Sequence, residues 1–116
     1  MQLKRIYWIL ALATMALPAL AAAPPGLRMW NLTPETLSDV RFAPSGTTEF
    51  GPNQCINDKD GTVDFDERLR ITNVPPGRYD LRLRDVKGRV CMMRNVTIPT
   101  EGVFAVGEKD LVECAP

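Results

Sequence analysis

The sequence predicts an all-β fold, a small antiparallel β-sandwich or barrel of six to seven short strands, set behind a cleaved N-terminal signal peptide. Three observations predict it. Apolar and polar residues alternate with a period of two, most cleanly in Arg78-Tyr79-Asp80-Leu81-Arg82-Leu83-Arg84, as a half-buried strand requires. Clusters of Pro, Gly, Asn and Asp punctuate these runs at turn-like spacing. No stretch beyond the leader carries the spacing of an amphipathic helix.

The leader is residues 1–23. Lys4 and Arg5 form a positive start, Ile6 to Leu20 is apolar, and Ala21-Ala22-Ala23 offers the small residues a signal peptidase cleaves beside. The apolar run is shorter than the roughly 20 residues that span a bilayer, so no membrane attachment is expected after cleavage. Residues 24–116 then form one domain, periplasmic or secreted. Removing Lys4 and Arg5 from a chain with 14 basic and 14 acidic side chains leaves a net charge of −2. That balance argues against nucleic acid as a partner.

Leu27-Arg28-Met29-Trp30-Asn31 reads as the first strand and Leu37 to Ala43 as the second, with Pro34 and Pro44-Ser45-Gly46 as the bounding turns. Thr47 to Phe50 is expected as a short third. Arg68 to Val74 resumes strand periodicity, and Pro75-Pro76-Gly77 turns it into the strand from Arg78 to Arg84. There Tyr79, Leu81 and Leu83 are expected to face inward, and Asp80, Arg82 and Arg84 to face water. Asp85-Val86-Lys87-Gly88 turns the chain into Arg89 to Ile98, whose parity slips at Arg94 and predicts a bulge. Val103 to Val106 is the last strand, and Glu108 to Leu111 a single helical turn before the tail.

The phrase Val74-Pro75-Pro76-Gly77-Arg78-Tyr79-Asp80-Leu81 resembles the hairpins of transthyretin-like sandwich domains, which implies a β-sandwich and no particular activity. The domain as a whole resembles small exported bacterial β-sandwich proteins of unassigned function.

Cys55, Cys91 and Cys114 all lie in the exported part and are expected to oxidise. Three cysteines allow one bridge. Cys55–Cys91 is the expected pair, with Cys91–Cys114 the alternative, and the leftover thiol is available to link two chains.

The chemically specialised stretch is an acidic loop within residues 52–67. From Asn57 to Glu67 it holds five carboxylates (Asp58, Asp60, Asp64, Asp66 and Glu67) against one Lys59. Calcium takes six to eight oxygen ligands, and a 12-residue EF-hand loop places a glycine at position 6. With Gly61 there, Asp58, Asp60, Asp64 and Glu67 fall on ligand positions, Thr62 offers its carbonyl, and Val63 takes the apolar place. The stretch thus resembles an incomplete EF-hand-like loop. Ile56 stands where the first carboxylate belongs, with Asn53 or Asn57 as substitutes, and no helices flank it. The competing reading is a solvated turn, with Val63 and Phe65 as inward strand residues.

The chain has no histidine, which removes the commonest general base and every Ser-His or Cys-His nucleophile, so no enzymatic activity is expected. Cys91-Met92-Met93 offers soft ligands of the kind copper takes. Strand alternation would put Cys91 and Met93 on one side and Met92 inward as core filler. Arg82, Arg84, Arg89 and Arg94 suit one basic face on adjoining strands, read either as a solvated sheet face whose charges discourage edge pairing or as a docking site for an acidic partner. The sequence therefore predicts a non-enzymatic, exported β-domain that serves as a binding or structural module of the cell envelope, with an unidentified protein partner. The alternative is a calcium-binding protein that uses the acidic loop.

Overall fold

A computed structural model describes residues 26–116. The expected leader, residues 1–23, lies outside the described residues. Seven strands form: β1 (Leu27–Leu32), β2 (Leu37–Pro44), β3 (Arg68–Ile71), β4 (Gly77–Asp85), β5 (Val90–Ile98), β6 (Gly102–Gly107) and β7 (Val112–Ala115). The only helical pieces among the described residues are 3-10 turns at Gln54–Asn57 and Glu108–Asp110. The strands make a sandwich of two sheets, one three-stranded in the order β3-β1-β6 and one four-stranded in the order β2-β4-β5-β7.

Alternation drives this outcome. In β1, Leu27, Met29 and Asn31 are buried while Arg28 is exposed. In β2 and β4, Val40, Phe42, Leu81 and Leu83 point into the space between the sheets, where they meet Met29, Leu69, Ile98 and Val106. Burying each such side chain contributes roughly 1.5–3 kcal/mol. Phe42 sits at the centre, edge-on to Tyr79 at 5.9 Å and to Phe104 at 6.1 Å. Asn31 and Thr33 are polar residues buried as fully as the core, and Asn31 is well partnered. Its amide nitrogen donates to the carbonyls of Glu35 and Val63, and its amide oxygen accepts from Thr33, so no polar atom is stranded.

The sandwich is antiparallel in every pair but one. β1 and β6 run parallel, because the chain reaches β6 by crossing from the other sheet. Pro75-Pro76-Gly77 likewise carries the chain from the three-stranded sheet into the four-stranded one, an arch rather than a hairpin. Tyr79 closes that arch by donating its phenol to the Pro75 carbonyl at 2.7 Å, the geometry of a tyrosine corner. β4–β5 is the hairpin.

Several expectations are corrected. Thr47 to Phe50 pairs with no strand; its backbone instead folds back on itself and onto Phe42 through Gly51. Val112–Ala115, expected as tail, is a strand held against β5. Met92 stands opposite Arg82 and Val112 on the outer face, and Met93 packs against the core, because cross-strand partners share a side. Asp80 is buried rather than solvated. The expected Cys55–Cys91 bridge does not form: Cys91 bonds Cys114, and Cys55 is a buried free thiol. β7 lies beside β5, so Cys114 is next to Cys91, while Cys55 lies in the core with Leu37 and Val63. Joining two cysteines 23 residues apart contributes roughly 3 kcal/mol.

The parity slip at Arg94 is a real bulge. Tyr79 pairs with Val96 and Leu81 with Met93, so Arg94 and Asn95 together face Asp80. Asn95 takes φ 54°, the left-handed conformation that asparagine tolerates best after glycine.

Candidate functional site

The acidic loop is tied at both ends before any ligand is considered. At its start, Asn53 accepts from the amides of Val40 and Cys55 and donates to the Ser38 carbonyl. Asn57 donates to the Arg70 carbonyl at 2.8 Å. Both side chains that could have replaced the missing first ligand are thus spent on holding the loop to β2 and β3. Midway, Val63 is fully buried and exchanges two main-chain bonds of 2.9 Å with Leu37. At its end, Asp66 and Glu67 exchange main-chain bonds with Asn31. Phe65, inward with Val63 in the competing reading, is 60% exposed: the chain leaves the Val63 bridge into a turn at Phe65-Asp66, where Asp66 takes φ 67°.

The five carboxylates then go in different directions. Asp66 accepts from the Trp30 indole at 2.9 Å, and Asp64 from the Thr36 hydroxyl at 2.9 Å. Asp58 caps its own turn by accepting from the Asp60 amide, which Gly61 at φ 72° allows to close. The Asp60 carboxylate and Thr62 side chain make no hydrogen bond among the described residues. Only Asp58 and Glu67 meet. Glu67 is pushed up from its ordinary range, first by its hydrogen bond with the Asp58 carboxyl and then by desolvation. Asp58 is held down, first by the Asp60 amide and then by Glu67. The two share a proton more readily than either would alone. Among the described residues no group of three or more Asp, Glu or Cys side chains converges as a metal would require. Of the expected ligands Asp58, Asp60, Thr62, Asp64 and Glu67, the fold therefore unites a pair.

The arginines form a different pattern from the one expected. Arg89 is bound to Asp85 at 3.3 Å and Glu108 at 2.7 Å, and Arg94 to Asp80 at 3.0 Å and Glu113 at 2.7 Å. Those two are neutralised. Arg82 and Arg84 lie on the outer face of the four-stranded sheet, where Arg41 stands directly across from Arg82. Together with Asp39 and Val90 these three line a hollow of about 360 Å³. Asp39 is bound to Arg41 at 2.9 Å, and Arg82 stacks over Phe50 at 4.5 Å. Among the described residues Arg82 and Arg84 have no carboxylate partner. The outer face of the other sheet repeats the device. Arg28 stands across from Arg70, and Arg68 stacks over Trp30 at 4.4 Å. Arg41 escaped the sequence reading; its register opposite Arg82 is the signal that would have found it.

Two other sequence candidates involve the cysteines. Cys91 is oxidised with Cys114, so the soft-metal pattern Cys91-Met92-Met93 loses its thiolate. Cys55 is fully buried, and burial pushes its thiol up to about 12, so it presents no surface to a second chain. Compared with known proteins, the chain matches no family model, no curated sequence and no solved structure.

Proposed function

We propose that this chain is a non-enzymatic, exported (periplasmic) β-domain that acts as a binding module of the cell envelope, docking an acidic partner on the outer face of its four-stranded sheet. The observation that carries this reading is the arginine face around the Arg41–Arg82 pair. Asp39 answers Arg41, while Arg82 and Arg84 hold no salt bridge among the described residues, so three arginines against one aspartate leave this face two positive charges in excess. A carboxylate seated in the hollow would offset that excess, and guanidinium forks suit carboxylates. Backbone rigidity supports the same reading, because the residues lie on the paired strands β2 and β4 rather than on a loop. Binding to immobilised poly-glutamate tests it. Arg82→Ser with Arg84→Ser should lose most of the retention, and retention should fall as salt rises. Arg28→Ser with Arg70→Ser, on the opposite sheet, should change it little. Equal loss from both pairs would reduce the effect to net charge.

A second reading, calcium at the acidic loop, is favoured by the Asp58–Glu67 contact alone, since a cation relieves that repulsion as a proton does. With the other three carboxylates elsewhere, it would sit at the weak end of calcium sites, with Kd about 10⁻⁴–10⁻³ M. Its test is the melting midpoint with calcium and with chelator.

A further inference from the structure

The outer face of the four-stranded sheet is basic on one half only. Strand register fixes the order of its outward side chains across β2, β4, β5 and β7. One row reads Arg41, Arg82, Met92, Val112, and the next Asp39, Arg84, Val90, Ala115. In both rows the charges stop at β4, and β5 and β7 continue with a block of four apolar residues. Val90 is the apolar wall of the arginine hollow, and Val112 is 43% exposed. Among the described residues none of the four joins the core between the sheets.

Resting on the reading that this face docks an acidic partner, we propose that the partner presents an amphipathic helix. Acidic residues at i and i+4 would lie over the arginines of β4, and large apolar residues at i+3 and i+7 over β5 and β7. Charge complementarity sets the first stripe, and the exposed apolar block sets the second.

Spacing and backbone chemistry select a helix. Arg82 and Arg84 lie two residues apart on β4, and Val90 and Met92 two apart on β5, so each column runs about 7 Å. One helical turn, from i to i+4, rises about 6 Å. The pairs i, i+4 and i+3, i+7 form adjoining stripes, as the two columns do at a strand spacing of about 5 Å. An extended segment does not suit the face. Main-chain groups of a sheet point sideways into the ladder, so a strand laid on top would bury amides without partners. Strand addition beside the arginines is closed too, since the loop covers β2 through the Val63–Leu37 pair and the Gly51 amide on the Phe42 carbonyl. A helix brings its own main-chain bonds and needs only side-chain contacts. The net charge of −2 on the exported part weighs against an anionic bilayer in the same place.

Calorimetric titration of the exported chain with two synthetic peptides tests this. Both are helix-forming and equal in composition, with Glu at i and i+4. One has Leu at i+3 and i+7, the other at i+2 and i+6, on the opposite side of the helix. The first should bind about tenfold tighter, roughly what burying one apolar side chain is worth. Met92→Ser with Val112→Ser should close most of that gap. Val112→Ser alone, at the exposed position, should narrow it if the double variant fails to fold. Arg82→Ser with Arg84→Ser should weaken both peptides, as it weakens retention on poly-glutamate. Equal affinity of the two peptides, with poly-glutamate still retained through Arg82 and Arg84, would overturn the helix and leave acidic docking standing. A gap that the Met92 and Val112 variants leave intact would do the same. No retention on poly-glutamate would remove the underlying reading and the helix with it. Phosphatidylglycerol vesicles that bind through Arg82 and Arg84 and displace the first peptide would assign the face to lipid and overturn the helix also.

Discussion

The main-chain amide of Asn95 donates to the carboxylate of Asp80 at 2.9 Å, across the bulge in β5. Gly46 donates its amide to the same carboxylate at 3.0 Å, and Arg94 its guanidinium at 3.0 Å. The Asp80 side chain is only 4% exposed. One carboxylate thus fastens the turn after β2, the bulge of β5 and, through Arg94 and Glu113, the last strand. Asp80→Ala would leave the Gly46 and Asn95 amides without this acceptor and the Arg94 guanidinium with Glu113 alone. The expected cost is about 3 kcal/mol, read from urea unfolding. Arg94→Ala should cost less, because the two amides keep their acceptor.

The same carboxylate gives the fold an acid limit. Asn95 and Gly46 amides, then Arg94, hold Asp80 below its ordinary range. Its folded-state pKa is lower than its unfolded one, so its contribution is complete above the unfolded value and disappears as pH falls through the folded one. The Asp80 contribution to unfolding free energy should therefore be flat from about pH 7 to pH 5 and drop below about pH 4, near the ordinary aspartate range. In Asp80→Asn that drop should shrink. An undiminished drop in the variant would assign the acid limit to other carboxylates.

Glu67 behaves with the opposite sign. The neighbouring Asp58 carboxyl raises it, so the folded state takes up a proton more readily than the unfolded chain. That contribution is present below the unfolded glutamate value and is lost as pH rises through the folded one. Glu67→Gln replaces the repulsion with an amide that can donate to Asp58. At pH 7 it should raise the melting midpoint by about 2 °C, a fraction of what 1 kcal/mol gives a domain of this size. The variant also separates the two readings of the loop. If calcium stabilises the wild type at this pair, Glu67→Gln should abolish that shift; a shift of unchanged size would move any ion site off these residues.

The strands were legible because alternation is a local property. Leu27, Met29, Leu81 and Leu83 declare their face within a few residues, and the bulge announced itself as a parity slip at Arg94. What the sequence hid is what covers each face. Parity puts Asp80 on the outside of β4, and only the fold brings Gly46 and Arg94 over it. The cysteine pairing failed for the same reason, since the β5–β7 neighbourhood is a property of sheet order. In the acidic loop, Gly61 at the turn was readable. The directions of Asp64 and Asp66 were not, because Thr36 and Trp30, far back in the chain, set them. The arginine row divided once Glu108, Glu113, Asp80 and Asp85 came within reach of two of its members.

Cys55 gives the most direct check on the covalent framework. Its sulfur points at the Leu37 carbonyl at 3.8 Å, and its side chain has no exposed surface. Desolvation, with smaller help from Asp39 and Asp58, pushes the thiol up to about 12. The thiolate is the reactive form, so the native protein should be inert to a thiol reagent at pH 8. In denaturant without reductant the same chain should titrate one thiol, and with reductant all three cysteines. Peptide mapping of the unreduced chain should recover Cys91 and Cys114 in one linked species. Fast labelling of the native protein would mean that the loop from Asn53 to Asn57 opens in solution. A linked Cys55 peptide would restore the pairing the sequence first suggested. Because that loop also caps β2 and β3, the rate at which Cys55 becomes labelled reports how often those two edges are uncovered.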